Sequence, residues 1–247
     1  MKMRSNGSLL KNGLAVLLCA MALVECTSKN ENMNSEKQKS IIKTITGTTQ
    51  NYSRTDGKPL GSSFRSSLVN FDVKGNKTEE TTFYQDGTPK IKTEYDSLGK
   101  IIEETHYDGN KKVDMKYIYA YSANQIKKTG ISGEGESLDS SVQKLNASGS
   151  VAEEFFYKRD GSLEVTDQYE YDKDGKLIEK KRGNVADWKY TYDERGNLTG
   201  VTGGYFSADE SDDSVMRYDE HNSLKEKTVF FLPGKIKSVT TYSYEYY

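Results

Sequence analysis

The chain has 247 residues, 35 of them Lys or Arg and 37 Asp or Glu, for a formal net charge of −2. That balance removes the electrostatic footprint expected of a nucleic-acid binder, which needs a clustered basic excess. Both cysteines, Cys19 and Cys26, fall at the N-terminal end, so the remainder can hold neither a disulfide nor a thiolate metal site.

Residues 1–25 read as a signal peptide. Lys2, Arg4 and Lys11 form a basic start, and Leu14 to Val24 is an unbroken apolar run. The run is shorter than the ~20 residues needed to span a bilayer. Two cleavage readings are open. Leu23-Val24-Glu25-Cys26 is similar to a bacterial lipobox, which would make Cys26 a lipid anchor. Ala20-Met21-Ala22 is a small-x-small site for ordinary cleavage, although it would leave Cys26 unpaired on an exported chain. Residues 26–40 are polar and aperiodic and read as a flexible tether.

Past the leader, Leu, Ile, Val and Phe make up less than about a fifth of the residues, a disorder signal if net charge were high. Here charge is low, and 18 tyrosines supply the missing apolar surface. Tyrosine has an apolar ring and a polar tip, so a thin, half-wet core is expected, built by residues such as Tyr95, Tyr107, Tyr157, Tyr169, Tyr171 and Tyr192.

From Ile41 the pattern becomes short β-type runs divided by a recurring turn. Phe71-Asp-Val-Lys-Gly75, Tyr95-Asp-Ser-Leu-Gly99, Tyr171-Asp-Lys-Asp-Gly175 and Tyr192-Asp-Glu-Arg-Gly196 share one form. Tyr218-Asp-Glu-His-Asn222 puts Asn in the Gly place. Shorter forms end at Gly87, Gly109 and Gly161, and Phe231-Leu-Pro-Gly234 closes the series. Asp opening a type I turn accepts local N–H groups, and Gly or Asn takes the left-handed position that follows. Runs of about eight residues between turns, with no long helical period, predict an all-β protein. Alternation places Ile91, Thr93 and Tyr95 on one face and Lys90, Lys92 and Glu94 on the other. Leu163, Val165, Tyr169 and Tyr171 share a face that Asp167 interrupts. The expected architecture is an antiparallel meander of about 14–16 strands in residues 41–247, forming an open, twisted or curled sheet. The glycine-rich stretch 130–141 is a candidate subdivision, and 207–214 an acidic loop.

Tyr192-Asp-Glu-Arg-Gly-Asn-Leu-Thr-Gly resembles the tyrosine–aspartate (YD) repeat of Rhs proteins, as do the units at Tyr95 and Tyr171. Tyr157-Lys-Arg-Asp-Gly-Ser-Leu is similar to variant MORN-type repeats. The resemblance implies β-hairpin repeats and an exported setting. In Rhs proteins long arrays curl into shells around a toxin domain. About ten units are read as too few to close such a shell, and with the last strand running to Tyr247 no enclosed domain is expected.

Sites are sparse. His106 and His221 lie far apart and read as exposed strand or turn residues rather than ligands. No carboxylate pair is singled out for acid–base work, so no catalytic residue, metal site or cofactor is expected. Trp188 and Tyr205-Phe206 are the candidates for stacking on a sugar ring or a partner protein. The function read from the sequence is a noncatalytic β-repeat protein, exported and lipid-anchored at the outer membrane or cell surface, or else soluble in the periplasm or secreted. It presents a sheet to a glycan or an envelope protein. The alternatives are a scaffold or shield for another envelope or secreted protein, and a glycan hydrolase.

Overall fold

A computed structural model describes residues 41–184, 186–204, 213–231 and 234–247. The signal peptide, the tether, Cys26, Tyr205, Phe206 and most of the acidic loop lie outside the described residues.

Sixteen strands follow one another along the described chain. They are β1 (Ile42–Asn51), β2 (Phe64–Phe71), β3 (Lys77–Phe83), β4 (Pro89–Tyr95), β5 (Ile101–Tyr107), β6 (Val113–Tyr121), β7 (Gln125–Ser132) and β8 (Ser137–Leu145). Then come β9 (Val151–Tyr157), β10 (Leu163–Tyr171), β11 (Leu177–Arg182), β12 (Ala186–Tyr192), β13 (Leu198–Gly203), β14 (Ser214–Tyr218), β15 (Leu224–Phe231) and β16 (Lys235–Tyr246). Each pairs antiparallel with its sequence neighbours, as a meander requires. Residues 130–141 are the end of β7, a turn and the start of β8, which pair directly.

The expected open or curled sheet is overturned. β1 pairs with β16 from Ile42↔Tyr246 to Asn51↔Ser238, and the sheet is a closed barrel. Turn spacing sets the strand count, but closure depends on strand tilt and accumulated twist, which local patterning does not specify. Closure also removes both sheet edges, so no strand is left to be protected by charge.

The turns are built as their residues dictate. Asp72 N–H donates to Asn76 O at 2.9 Å and Gly75 N–H to Asp72 O at 2.9 Å, while Asp72 Oδ1 accepts from the N–H groups of Lys74 and Asn76. The same set recurs at Asp96, Asp172 and Asp219. Asn222 takes the left-handed conformation with φ 67°. The short unit at Tyr107 differs from expectation. The left-handed residue there is Lys111 (φ 66°), two positions beyond Gly109, because the turn runs from Asp108 to Lys112.

A second bond set ties each of five hairpins together. A tyrosine at the end of an even-numbered strand (two residues short of it in β16) donates its hydroxyl to the first carbonyl of the strand before it. The pairs are Tyr121–Ile101 (2.9 Å), Tyr171–Val151 (2.8 Å), Tyr192–Leu177 (2.8 Å), Tyr218–Leu198 (3.0 Å) and Tyr244–Leu224 (2.7 Å). Ring burial and hydroxyl satisfaction therefore come from one side chain at a fixed place in the repeat.

Buried positions concentrate on one face, which is the enclosed one. Among the described residues the buried apolar side chains are Ile45, Trp188 and Met216, and buried polar residues outnumber them. The thin core expected from tyrosine content is present, and it is more polar than that content suggests.

Candidate functional site

The enclosed face carries three related polar clusters. Each has a glutamate on one strand and, fifteen residues later, a tyrosine on the next strand donating its hydroxyl to it: Tyr95–Glu80 at 3.3 Å, Tyr119–Glu104 at 3.4 Å and Tyr169–Glu154 at 3.0 Å. In the first cluster Lys77 Nζ pairs with Glu80 and donates to the Tyr95 hydroxyl at 3.0 Å. In the second, His106 Nε2 lies 2.5 Å from Glu104 Oε1, Lys128 Nζ lies 3.4 Å from the same oxygen, and the His106 ring meets Tyr117 edge-on. His106 is thus a lining residue on the enclosed face, correcting its reading as exposed. His221 is in a turn with its side chain 80% exposed.

The third cluster is the most buried. Glu154 accepts from Ser141 Oγ at 2.8 Å, and Asp167 sits directly across the ladder from Glu154. Asp167 is 0% exposed and is held by Arg182 (Nε–Oδ1 2.6 Å, Nη2–Oδ2 2.8 Å) and by Lys180 Nζ at 2.9 Å. Arg182 stacks over Phe156, and Lys180 over Tyr169 and Trp188. Asp167, the residue that interrupts the apolar parity of β10, is therefore the centre of an ion-pair network.

Charge states follow from these contacts. Burial pushes the Tyr169 phenol up, and the Glu154 and Asp167 carboxylates add to the rise, so it stays a proton donor. Tyr119 is raised by burial and by Glu104 in the same way. Burial acts to raise Glu104, but its hydrogen bond with His106 and the charge of Lys128 outweigh it and hold the carboxyl below the usual range. The Asp167 contact raises Arg182 further. Each cluster satisfies its own charges. Among the described residues no group of three or more His, Cys, Asp or Glu is placed to hold a metal.

The outer face is charged in a different way. Lys92 Nζ bridges Glu79 and Glu94 at 2.9 Å each, and Lys116 reaches Glu103 at 2.6 Å. Farther round, Lys181 bridges Glu179 at 2.6 Å and Glu170 at 3.6 Å. Thr105 and Thr81 lie in this wall and hydrogen-bond to Glu103 and Glu79.

The rims differ too. One carries the turns between even- and odd-numbered strands, five of which open with Asp. The other carries the long connection 52–63, beside a shallow cleft of about 370 Å³ lined by Tyr52, Thr55, Asp56, Gly57, Lys235 and Ile236.

Trp188, a sequence candidate for surface stacking, is 7% exposed beneath Lys180 on the enclosed face, so a ligand would meet its ring only from inside. Tyr205, Phe206 and Cys26 fall outside the described residues. The clusters themselves were missed by sequence reading. Their signal was a Glu-Glu pair (79–80, 103–104, 153–154) at one place in three hairpins, the second Glu always inward.

Residues 171–205 match the family model described as RHS Repeat. The RHS-repeat segment runs from the Tyr171 turn through β11, β12 and β13, where two of the tyrosine–carbonyl ties lie. No curated protein matches the chain. Among solved structures, a porin-like protein from Bacteroides uniformis ATCC 8492 is similar at 10% identity, with 83% of this chain and 98% of that one covered and a TM-score of 0.35. Another porin-like protein, from Bacteroides vulgatus ATCC 8482, is 11% identical over 83% of this chain and 99% of that one, with a TM-score of 0.37. A chain of the TcdB2-TccC3-Cdc42 complex is similar at 11% identity over 75% of this chain, which spans 15% of that one, with a TM-score of 0.24.

Proposed function

We propose that this is an exported, noncatalytic barrel, anchored to an envelope membrane through Cys26, that stands in water and offers its outer wall to a partner in the envelope. The observation that carries the reading is the outer wall itself. Lys92, Lys116, Lys181, Glu79, Glu94, Glu103, Glu170 and Glu179 all point outward from the strands. A lysine on a lipid-facing wall costs about 2–4 kcal/mol at mid-bilayer, so this wall suits water and not hydrocarbon.

Among the described residues the carboxylates of the three clusters are engaged by Lys, Arg, His, Ser and Tyr donors, which supports a binding role over acid–base catalysis. A protein partner is favoured over a glycan. Glycan stacking uses open aromatic faces, and Trp188 turns inward, whereas ordered Lys–Glu rows give charge complementarity to another protein.

The test is affinity capture of the native chain from envelope extract, with a glycan array run in parallel. One stoichiometric protein, released by Lys92→Glu/Lys116→Glu, supports the reading. Specific array binding with no protein captured replaces it with the glycan reading, and turnover of a bound glycan overturns it. Fatty-acid labelling of wild type and Cys26→Ala tests the anchor, and an unlabelled wild type removes it.

A further inference from the structure

The rim of Asp-initiated turns is not uniform around its circumference. On the arc from β16 through β1 to β5 its tips are apolar and exposed: Val73 is 65% exposed, Leu98 78% and Tyr247 57%, with Ile41 and Tyr246 between them. These residues adjoin. Tyr247 N–H donates to Ile41 O at 3.0 Å, and the Tyr247 hydroxyl donates to Phe71 O at 2.6 Å, beside the turn that carries Val73. The Leu98 turn is next round the barrel, since β3 and β4 pair. Elsewhere on this rim the tips include Lys173-Asp174, Glu194-Arg195 and, in the turn next to β16, Glu220-His221. The turn chemistry does not require this difference, because tip positions of a type I turn accept most residues.

Lys43, Lys74 and Lys100 flank the apolar tips. The acidic residues of the same turns are occupied: Asp72 and Asp96 spend their carboxylates on their own turn N–H groups. The chain enters the barrel on this arc, since Ile41 follows the forty residues that include Cys26. Exposed aliphatic tips, terminal tyrosines and flanking lysines are the groups that settle at a lipid–water interface carrying negative headgroups.

We infer that the arc Ile41–Val73–Leu98–Tyr246–Tyr247 is a membrane-seating surface that rests on an anionic bilayer and fixes the barrel end-on. The inference rests on the reading that the chain is held at a membrane, and it adds a second, noncovalent contact.

The probe is a chain beginning at residue 26 and carrying Cys26→Ala, which keeps all sixteen strands and cannot be acylated. It is sedimented with vesicles of phosphatidylethanolamine and phosphatidylglycerol, and separately with phosphatidylcholine vesicles. Binding to the anionic vesicles, weakened roughly tenfold or more by Val73→Asp/Leu98→Asp but not by Ala147→Asp at another tip, is the expected result. Circular dichroism of each variant reports that the barrel persists. No binding to either vesicle, or binding that Val73→Asp/Leu98→Asp leaves unchanged, overturns the inference. Self-association abolished by the same pair, with no vesicle binding, reassigns the arc to a contact between copies and also overturns it. The anchor is judged separately by fatty-acid labelling: an unlabelled wild type with intact vesicle binding removes the anchor and leaves the seating surface standing.

Discussion

Arg182 grips Asp167 with two hydrogen bonds of 2.6 and 2.8 Å across the β10–β11 ladder, and the carboxylate it holds has no solvent exposure. Removing one partner of a buried pair leaves a desolvated charge, whereas removing both does not. Arg182→Met is expected to destabilise the barrel by about 3 kcal/mol, with Lys180 left as the remaining cation. Asp167→Leu/Arg182→Met should recover a large part of that loss. Urea unfolding of the two single variants and the double variant measures the coupling, and strictly additive losses would contradict the pairing.

Glu104 gives the enclosed face a defined acid response. Its carboxyl is held below the usual value of 4.5 in the fold, against the effect of burial, by the His106 hydrogen bond and the Lys128 charge. A depressed folded-state pKa contributes stability above the unfolded value and loses it as pH falls through the folded one. Stability should therefore decline as pH drops below about 4.5, and Glu104→Gln should flatten that limb. Thermal midpoints across this range check it, and an unchanged slope in Glu104→Gln would count against the cluster.

Lys111 occupies a left-handed position, φ 66°, that glycine takes in most of the other turns. An L-residue there carries a steric cost of about 1 kcal/mol. Lys111→Gly should therefore raise stability by roughly 0.5–1 kcal/mol, and Gly149→Ala, at φ 83°, should lower it by a similar amount. Opposite signs in chemical denaturation are the required outcome.

The tyrosine–carbonyl ties should act independently, because they join different strand pairs. Tyr171→Phe and Tyr244→Phe each remove one hydroxyl bond while keeping the ring, at about 1 kcal/mol apiece. The double variant should lose the sum. Losses well above that sum would mean the ties are coupled around the barrel.

Among the described residues the seam between β13 and β14 has the fewest pairs, Gly200↔Val215 and Val201↔Ser214, against nine for β1–β16. Amides there should exchange with solvent sooner than those of the closing pair. Hydrogen exchange resolved to short peptides decides it, and equal protection at the two seams would refute the expectation. Gly203, at φ 109°, has no room for a Cβ, which would run into the Asp187 carbonyl. Gly203→Ala should therefore speed exchange on the other side of β13, at its pairing with β12.

The local rules of the chain were legible in its sequence because each is a short-range interaction. Asp72 and Gly75 build their turn with atoms a few residues apart, and the alternation of Ile91, Thr93 and Tyr95 follows from the period of a strand. Asp167 stood out in the sequence only as the residue interrupting the apolar parity of β10; its burial and its pairing with Arg182 come from the fold. What the tertiary structure decided were relations between residues far apart along the chain. That β1 meets β16 depends on small twists summed over sixteen strands, which no single repeat contains. Closure then separated a wall that faces water from a lining that must pair its charges, sending Trp188 and His106 inward and gathering Ile41, Val73, Leu98 and Tyr247 on one arc of one rim.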